Sequence, residues 1–225
     1  MRYCIVMILV ICLYSCKSNT GQRNLENKYS QSLSFFADTL VRHFPKSLGR
    51  ATFFTDVLGK ADKIKYYFRT FTIECYQKYS VQEYDRIQIL VDSLSKKTYV
   101  ANDSMLLLLF TYQDKLEVDN YLFTDQASPE KKRMVMTNFE QDSCLPVPFF
   151  RDKFSDTMYT GSTYSGLKEG FILHVFDAQP GIFLPKELLY DSSECLPEKW
   201  RHGFSRGVAL NEKEREVIFW IVVWW

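Results

Sequence analysis

An α+β domain, with a mainly antiparallel sheet, two principal amphipathic helices and a closing C-terminal β-hairpin, is the fold class this sequence predicts. Three observations point there. Apolar residues recur at helical spacing in two stretches, runs of branched and aromatic residues sit between turn formers elsewhere, and aromatics make up 16% of the chain, which favours sheet packing. The 225 residues are 46% hydrophobic and 24% charged, a composition that folds. Twenty-eight basic and 27 acidic side chains leave a formal charge of +1, which excludes an electrostatically driven nucleic-acid binder.

The first element is an export signal. One cation, Arg2, precedes the apolar run Ile5 to Tyr14. As a helix that run is about 15 Å long, too short for a hydrocarbon core that takes roughly 20 residues to span. The run ends in Leu13-Tyr14-Ser15-Cys16, which resembles the lipobox of bacterial lipoproteins: an aliphatic residue three places before the cysteine and a small one directly before it. The resemblance implies cleavage after Ser15, a diacylglycerol on the Cys16 thiol and acylation of the new amino group. Residues 1–15 would then be a signal peptide, and the protein would meet its membrane through acyl chains, each buried methylene contributing about 0.8 kcal/mol. Lys17 is not the aspartate that marks inner-membrane retention in many such lipoproteins, so the resemblance implies an outer-membrane address. Residues 16–28 read as the lipidated cysteine and a flexible polar tether with a reach of about 20 Å, and residues 29–225 as one domain.

Along that domain, Leu25, Tyr29, Leu33, Phe36, Leu40, Val41 and Phe44 follow helical spacing up to Pro45, predicting one amphipathic helix. Ile64 to Tyr76 is crowded with aromatic and branched residues and predicts a strand. Ser80-Val81-Gln82-Glu83 has the form of a capping box, opening a second helix that carries Tyr84, Ile87, Leu90, Val91 and Leu94 and ends near Lys96. Met105 to Phe110, Met134 to Phe139 and Gly170 to Asp177 predict further strands, and Pro180-Gly181 a turn. Arg206 to Leu210 and Glu216 to Trp224 predict the closing hairpin.

Six cysteines are present, and cleavage would leave Cys16, Cys75, Cys144 and Cys195. With Cys16 acylated, the matching Cys-Leu-Pro contexts of Cys144 and Cys195 make them the candidate disulfide, and an envelope compartment would permit it. Three reduced thiols are the alternative.

The motifs of catalysis fail on their context. Gly203-Phe204-Ser205-Arg206-Gly207 is a literal Gly-x-Ser-x-Gly, but no histidine follows it, whereas the hydrolase fold that uses this elbow needs an acid and then a histidine downstream. Gly161 to Lys168 breaks the phosphate-loop pattern at Leu167. His43, His174 and His202 are the only histidines and lie far apart, so no metal site is expected. His174 alternates with Ile172 and Phe176, as a packed strand residue does. Trp200, Arg201, His202 and Arg206 remain as a candidate ligand-binding segment, where rings stack on sugars and arginines bond carboxylate or hydroxyl groups. The functional expectation is a lipid-anchored envelope protein with a non-enzymatic binding or accessory domain, with no cofactor beyond the acyl chains on Cys16 and with envelope proteins or glycans as partners. An envelope hydrolase of glycan or peptide and an aromatic sugar-binding module are the alternatives.

Overall fold

Six antiparallel strands form the central sheet of the computed structural model, which describes residues 21–49, 51–55, 70–103, 106–109, 133, 137, 141, 144–150, 163–184 and 198–225. In chain order the elements are α1 (residues 21–33), α2 (Asp38–Val41), β1 (Thr52–Thr55), β2 (Thr70–Lys78), α3 (Val81–Leu94), β3 (Lys97–Val100), β4 (Leu107–Leu109), β5 (Pro146–Pro148), β6 (Phe171–Pro180), a 3₁₀ turn at Glu198–Trp200, β7 (Gly203–Asn211) and β8 (Glu216–Trp224). The sheet order is β1-β2-β8-β7-β6-β3, and β4 and β5 form a separate parallel pair. The fold is α+β, and it closes on the β7–β8 hairpin.

The hairpin is the centre of the sheet because its residues suit burial on both faces. Every residue of β8 is buried. Strand alternation sends Ile218, Trp220, Val222 and Trp224 to one face, and Val217, Phe219, Ile221 and Val223 to the other. The second of these faces is covered by helices: Tyr29, Phe36, Phe44, Leu48, Tyr84 and Val91 belong to its core. The first is covered by β4, β5 and the loops carrying Phe150, Leu167 and Trp200. These are the helix side and the strand side of the sheet.

The second helix forms as its local signals require. Ser80 Oγ accepts from Glu83 N, and the Glu83 carboxylate accepts from Ser80 N at 3.1 Å, the reciprocal capping box. Ser80→Ala is expected to lower stability by about 1 kcal/mol, read as a shift of the urea midpoint with an unchanged slope.

The first helix departs from expectation twice. Residues 21–28, read as tether, are helical. Contacts distant in sequence hold them: Gln22 Nε2 donates to Gly49 O at 2.8 Å, Leu48 N donates to the Glu26 carboxylate at 3.0 and 3.1 Å, and the buried Tyr29 hydroxyl donates to Pro45 O at 2.7 Å. These bonds offset the ordering cost that the polar composition alone does not cover. The single helix expected up to Pro45 is also broken at residues 34–37, after which α2 starts at Asp38, its N-cap Ala37 offering no side-chain cap. The break lets Phe36 stack on Phe71 at 5.2 Å and Phe35 meet it edge-on at 5.9 Å, so sheet packing overrides the continuous helical period.

Other elements differ in detail. The strand expected at Ile64 to Tyr76 is seen as Thr70–Lys78, with residues 64–69 outside the described residues. The strand expected at Met134 to Phe139 is contradicted at Thr137, which is helical and accepts from Gln141 N at 2.9 Å; the rest of that stretch lies outside the described residues. Strands β1, β3 and β5 were not foreseen. Among the described residues no helix is long and apolar enough to cross a membrane.

Candidate functional site

The candidate segment Trp200 to Arg206 is divided by the sheet. Trp200 is buried on the strand side, where its ring stacks on Trp224 at 6.0 Å and its carbonyl accepts from Trp224 Nε1 at 2.8 Å. It is a packing residue, and its ring is covered. Arg206 lies on β7 between Phe204 and Val208, so it faces the helix side, where Nη1 donates to the carbonyls of Thr39 at 2.9 Å and Leu40 at 3.2 Å. There it satisfies α2 carbonyls that the helix end leaves open. Trp200 and Arg206 therefore do not line one site, because the strand between them sends them to opposite layers. Arg201 and His202 stay half-buried at the β6–β7 end, where His202 O accepts from Gly181 N at 2.9 Å. Arg201 Nε and His202 Nδ1 have no hydrogen-bond partner among the described residues, so this pair is what remains of the candidate binding segment.

Gly203, Ser205 and Gly207 answer a packing need and not a nucleophile's. All three point to the strand side from the middle of an antiparallel ladder, opposite Trp224, Val222 and Trp220. A Cβ on Gly203 would sit 2.3 Å from Trp224 Cζ2, and one on Gly207 2.7 Å from Trp220 Cζ2 and 2.0 Å from His174 O. The glycines leave room for two indoles. Ser205 between them is fully buried, and its hydroxyl donates to Pro146 O, joining β7 to the parallel pair. No strand-to-helix elbow is present at this serine.

Two of the histidines also have structural partners. His43 Nε2 donates to Trp220 O at 3.1 Å, with its ring against Phe44 and Phe176. Burial pulls its pKa down to about 3. His174 is 6% exposed, with Nδ1 3.0 Å from Ser95 Oγ and 3.7 Å from Asp92 Oδ1. Burial lowers its pKa and the Asp92 charge opposes the shift, as expected for a packed strand histidine.

Cys75 and Cys144 are buried free thiols. Cys144 lies in the strand-side core; Cys195, its candidate disulfide partner, is outside the described residues, as is Cys16. Burial pushes the Cys75 thiol up to about 12, which leaves it protonated and a poor nucleophile.

Sequence reasoning missed two buried carboxylates. Glu216, fully buried at the start of β8, pairs with Lys78 Nζ at 2.8 Å and Lys168 Nζ at 2.7 Å. The hydrogen bond and charge of Glu216 raise the Lys78 pKa. Only the register Lys78↔Glu216 brings the first pair together. Glu74, 1% exposed, accepts from the Tyr76 hydroxyl; the signal was a lone acid between Ile73 and Cys75 in a strand rich in branched and aromatic residues. Beside Lys168 a groove of about 340 Å³ is lined by Lys168, Glu169, Gly170, Asn211, Glu212, Lys213 and Glu214. Its lining carries two ammonium groups against three carboxylates, Lys168 is already paired with Glu216, and Asn211 Oδ1 is engaged by Glu214 N at 3.1 Å. Among the described residues no group of three or more His, Cys, Asp or Glu is placed to hold a metal ion. No family model, curated protein or solved structure matches the chain.

Proposed function

We propose that the protein is a lipid-anchored cell-envelope protein, addressed to the outer membrane, whose α+β domain binds or organises other envelope components without catalysing a reaction. The observation that carries this reading is Leu13-Tyr14-Ser15-Cys16 at the end of a short apolar run. A thiol at that place, once acylated, gives the domain more than one acyl chain and so a durable hold on a bilayer, where a single chain binds only marginally. Support for the non-enzymatic half comes from the side chains that catalysis would recruit. Ser205, His43 and His174 are each engaged in a contact that holds the sheet or its helices.

Labelled palmitate is expected on the wild-type protein and not on Cys16→Ala, and the variant is expected to leave the membrane fraction. Equal labelling of both would remove the anchor, and with it the envelope assignment.

A further inference from the structure

The charges of this near-neutral chain are not evenly spread. In the cleaved chain proposed above, residues 16–50 hold six Lys or Arg against Glu26 and Asp38, a net +4, whereas residues 51–225 carry −4. Within the described part of the basic segment, the exposed residues of α1 are Gly21, Gln22, Arg23, Asn24, Asn27, Lys28, Ser30 and Gln31. Two are cations and none is an acid. The one carboxylate of this helix, Glu26, is turned inward and accepts from Leu48 N. The strap 42–49, held alongside by Gln22, Glu26 and Tyr29, adds the exposed Arg42 and Lys46 and again no acid. This surface is one part of the helix layer, which elsewhere exposes Asp38 on α2 and Glu83, Asp85 and Asp92 on α3, and it starts five positions after Cys16, within at most about 18 Å of chain.

We infer that the face formed by α1 and the strap 42–49 docks on an anionic bilayer surface, with Arg23, Lys28, Arg42 and Lys46 against lipid headgroups. The inference rests on the lipid anchor proposed above, which delivers this face to the membrane; charge then selects its orientation. Basic side chains at a surface are attracted to anionic lipids within a Debye length, so the effect weakens with salt. The net-negative remainder of the chain, α3 with its exposed Glu83, Asp85 and Asp92 included, is repelled by the same surface, which tips the contact onto α1 and the strap.

The test uses the full lipidated protein reconstituted into vesicles of phosphatidylcholine, with or without phosphatidylglycerol, carrying a headgroup-linked quencher. A fluorescent amino acid replaces either Asn24, on the docking face, or Glu198, on the strand side. Quenching at position 24 is expected to rise severalfold when phosphatidylglycerol is added, to fall back at high salt, and to be lost in Arg23→Glu/Lys46→Glu. Position 198 is expected to remain weakly quenched throughout. Flotation with both vesicle types, with positions 24 and 198 quenched alike regardless of lipid charge or salt, would overturn the docking face while leaving the anchor intact. Failure to float with phosphatidylcholine vesicles would instead overturn the anchor and the delivery it provides. Circular dichroism of the double variant checks that it folds, and the salt series needs no substitution.

Discussion

Gly207→Ala is expected to destabilise the fold by about 3 kcal/mol or more. An added Cβ would lie 2.0 Å from the carbonyl oxygen of His174, a backbone atom of the neighbouring strand, and 2.7 Å from the Trp220 ring. Neither can move cheaply. The carbonyl belongs to β6 where its register with β7 shifts between Val175 and Asp177, and the ring is fully buried, with Phe150 packed on its face edge-on at 6.1 Å. A bulge beside a glycine lets two strands and an indole share space that one methyl group would fill. Urea unfolding measures the effect, with Gly21→Ala as control, because nothing lies within 4 Å of a Cβ there. A Gly207→Ala midpoint equal to the wild type would contradict the close approach of β6, β7 and Trp220.

Acidification is expected to destabilise the protein through His43, by on the order of 2–3 kcal/mol between neutral pH and about pH 4. The folded state holds this imidazole neutral, with a pKa of about 3 set mainly by burial, while the unfolded chain takes up the proton near the ordinary value of 6.5. The unfolded state therefore binds more protons throughout that window. Stability is fully present above the unfolded pKa, is lost as pH falls through it, and the loss levels off near the folded pKa. His174, also shifted down by burial, contributes in the same direction. Urea midpoints at several pH values, for wild type and His43→Gln, separate the two. The variant can still donate to Trp220 O but cannot titrate, so its loss on acidification should be distinctly smaller. Parallel losses in the two proteins would mean that His43 is not kept neutral by the fold.

What was legible in the sequence was local. The Ser80–Glu83 box and the β7–β8 hairpin are written within a few residues of where they act, and they appear where their signals stand. The break at residues 34–37 was not legible, because the apolar period continues through it and only Phe71, on a strand still to come, explains why Phe35 and Phe36 leave the helix. Strands β1, β3 and β5 are too short to carry a period of their own, and pairing with β2, β6 and β4 defines them. The candidate binding segment is divided for a related reason: Trp200 and Arg206 are near in sequence, but Arg206 is on a strand whose alternation sends it to the helix layer. The Gly-x-Ser-x-Gly string was misleading as chemistry and informative as packing, since its glycines lie opposite Trp224 and Trp220 in the register.

The position of β7 and β8 constrains when the protein can fold. These strands occupy the middle of the sheet and contribute to both cores, yet they are made after β1, β2, β6 and every described helix. A nascent chain that has emerged only as far as Pro180 has a β2 with no β8 to pair with and a β6 with no β7. Its helices have no completed surface to cover. Folding is thereby deferred until the last strands arrive, a dependence on distant pairing that slows assembly. The export proposed above requires an open chain, and such lateness would keep the polypeptide in that form.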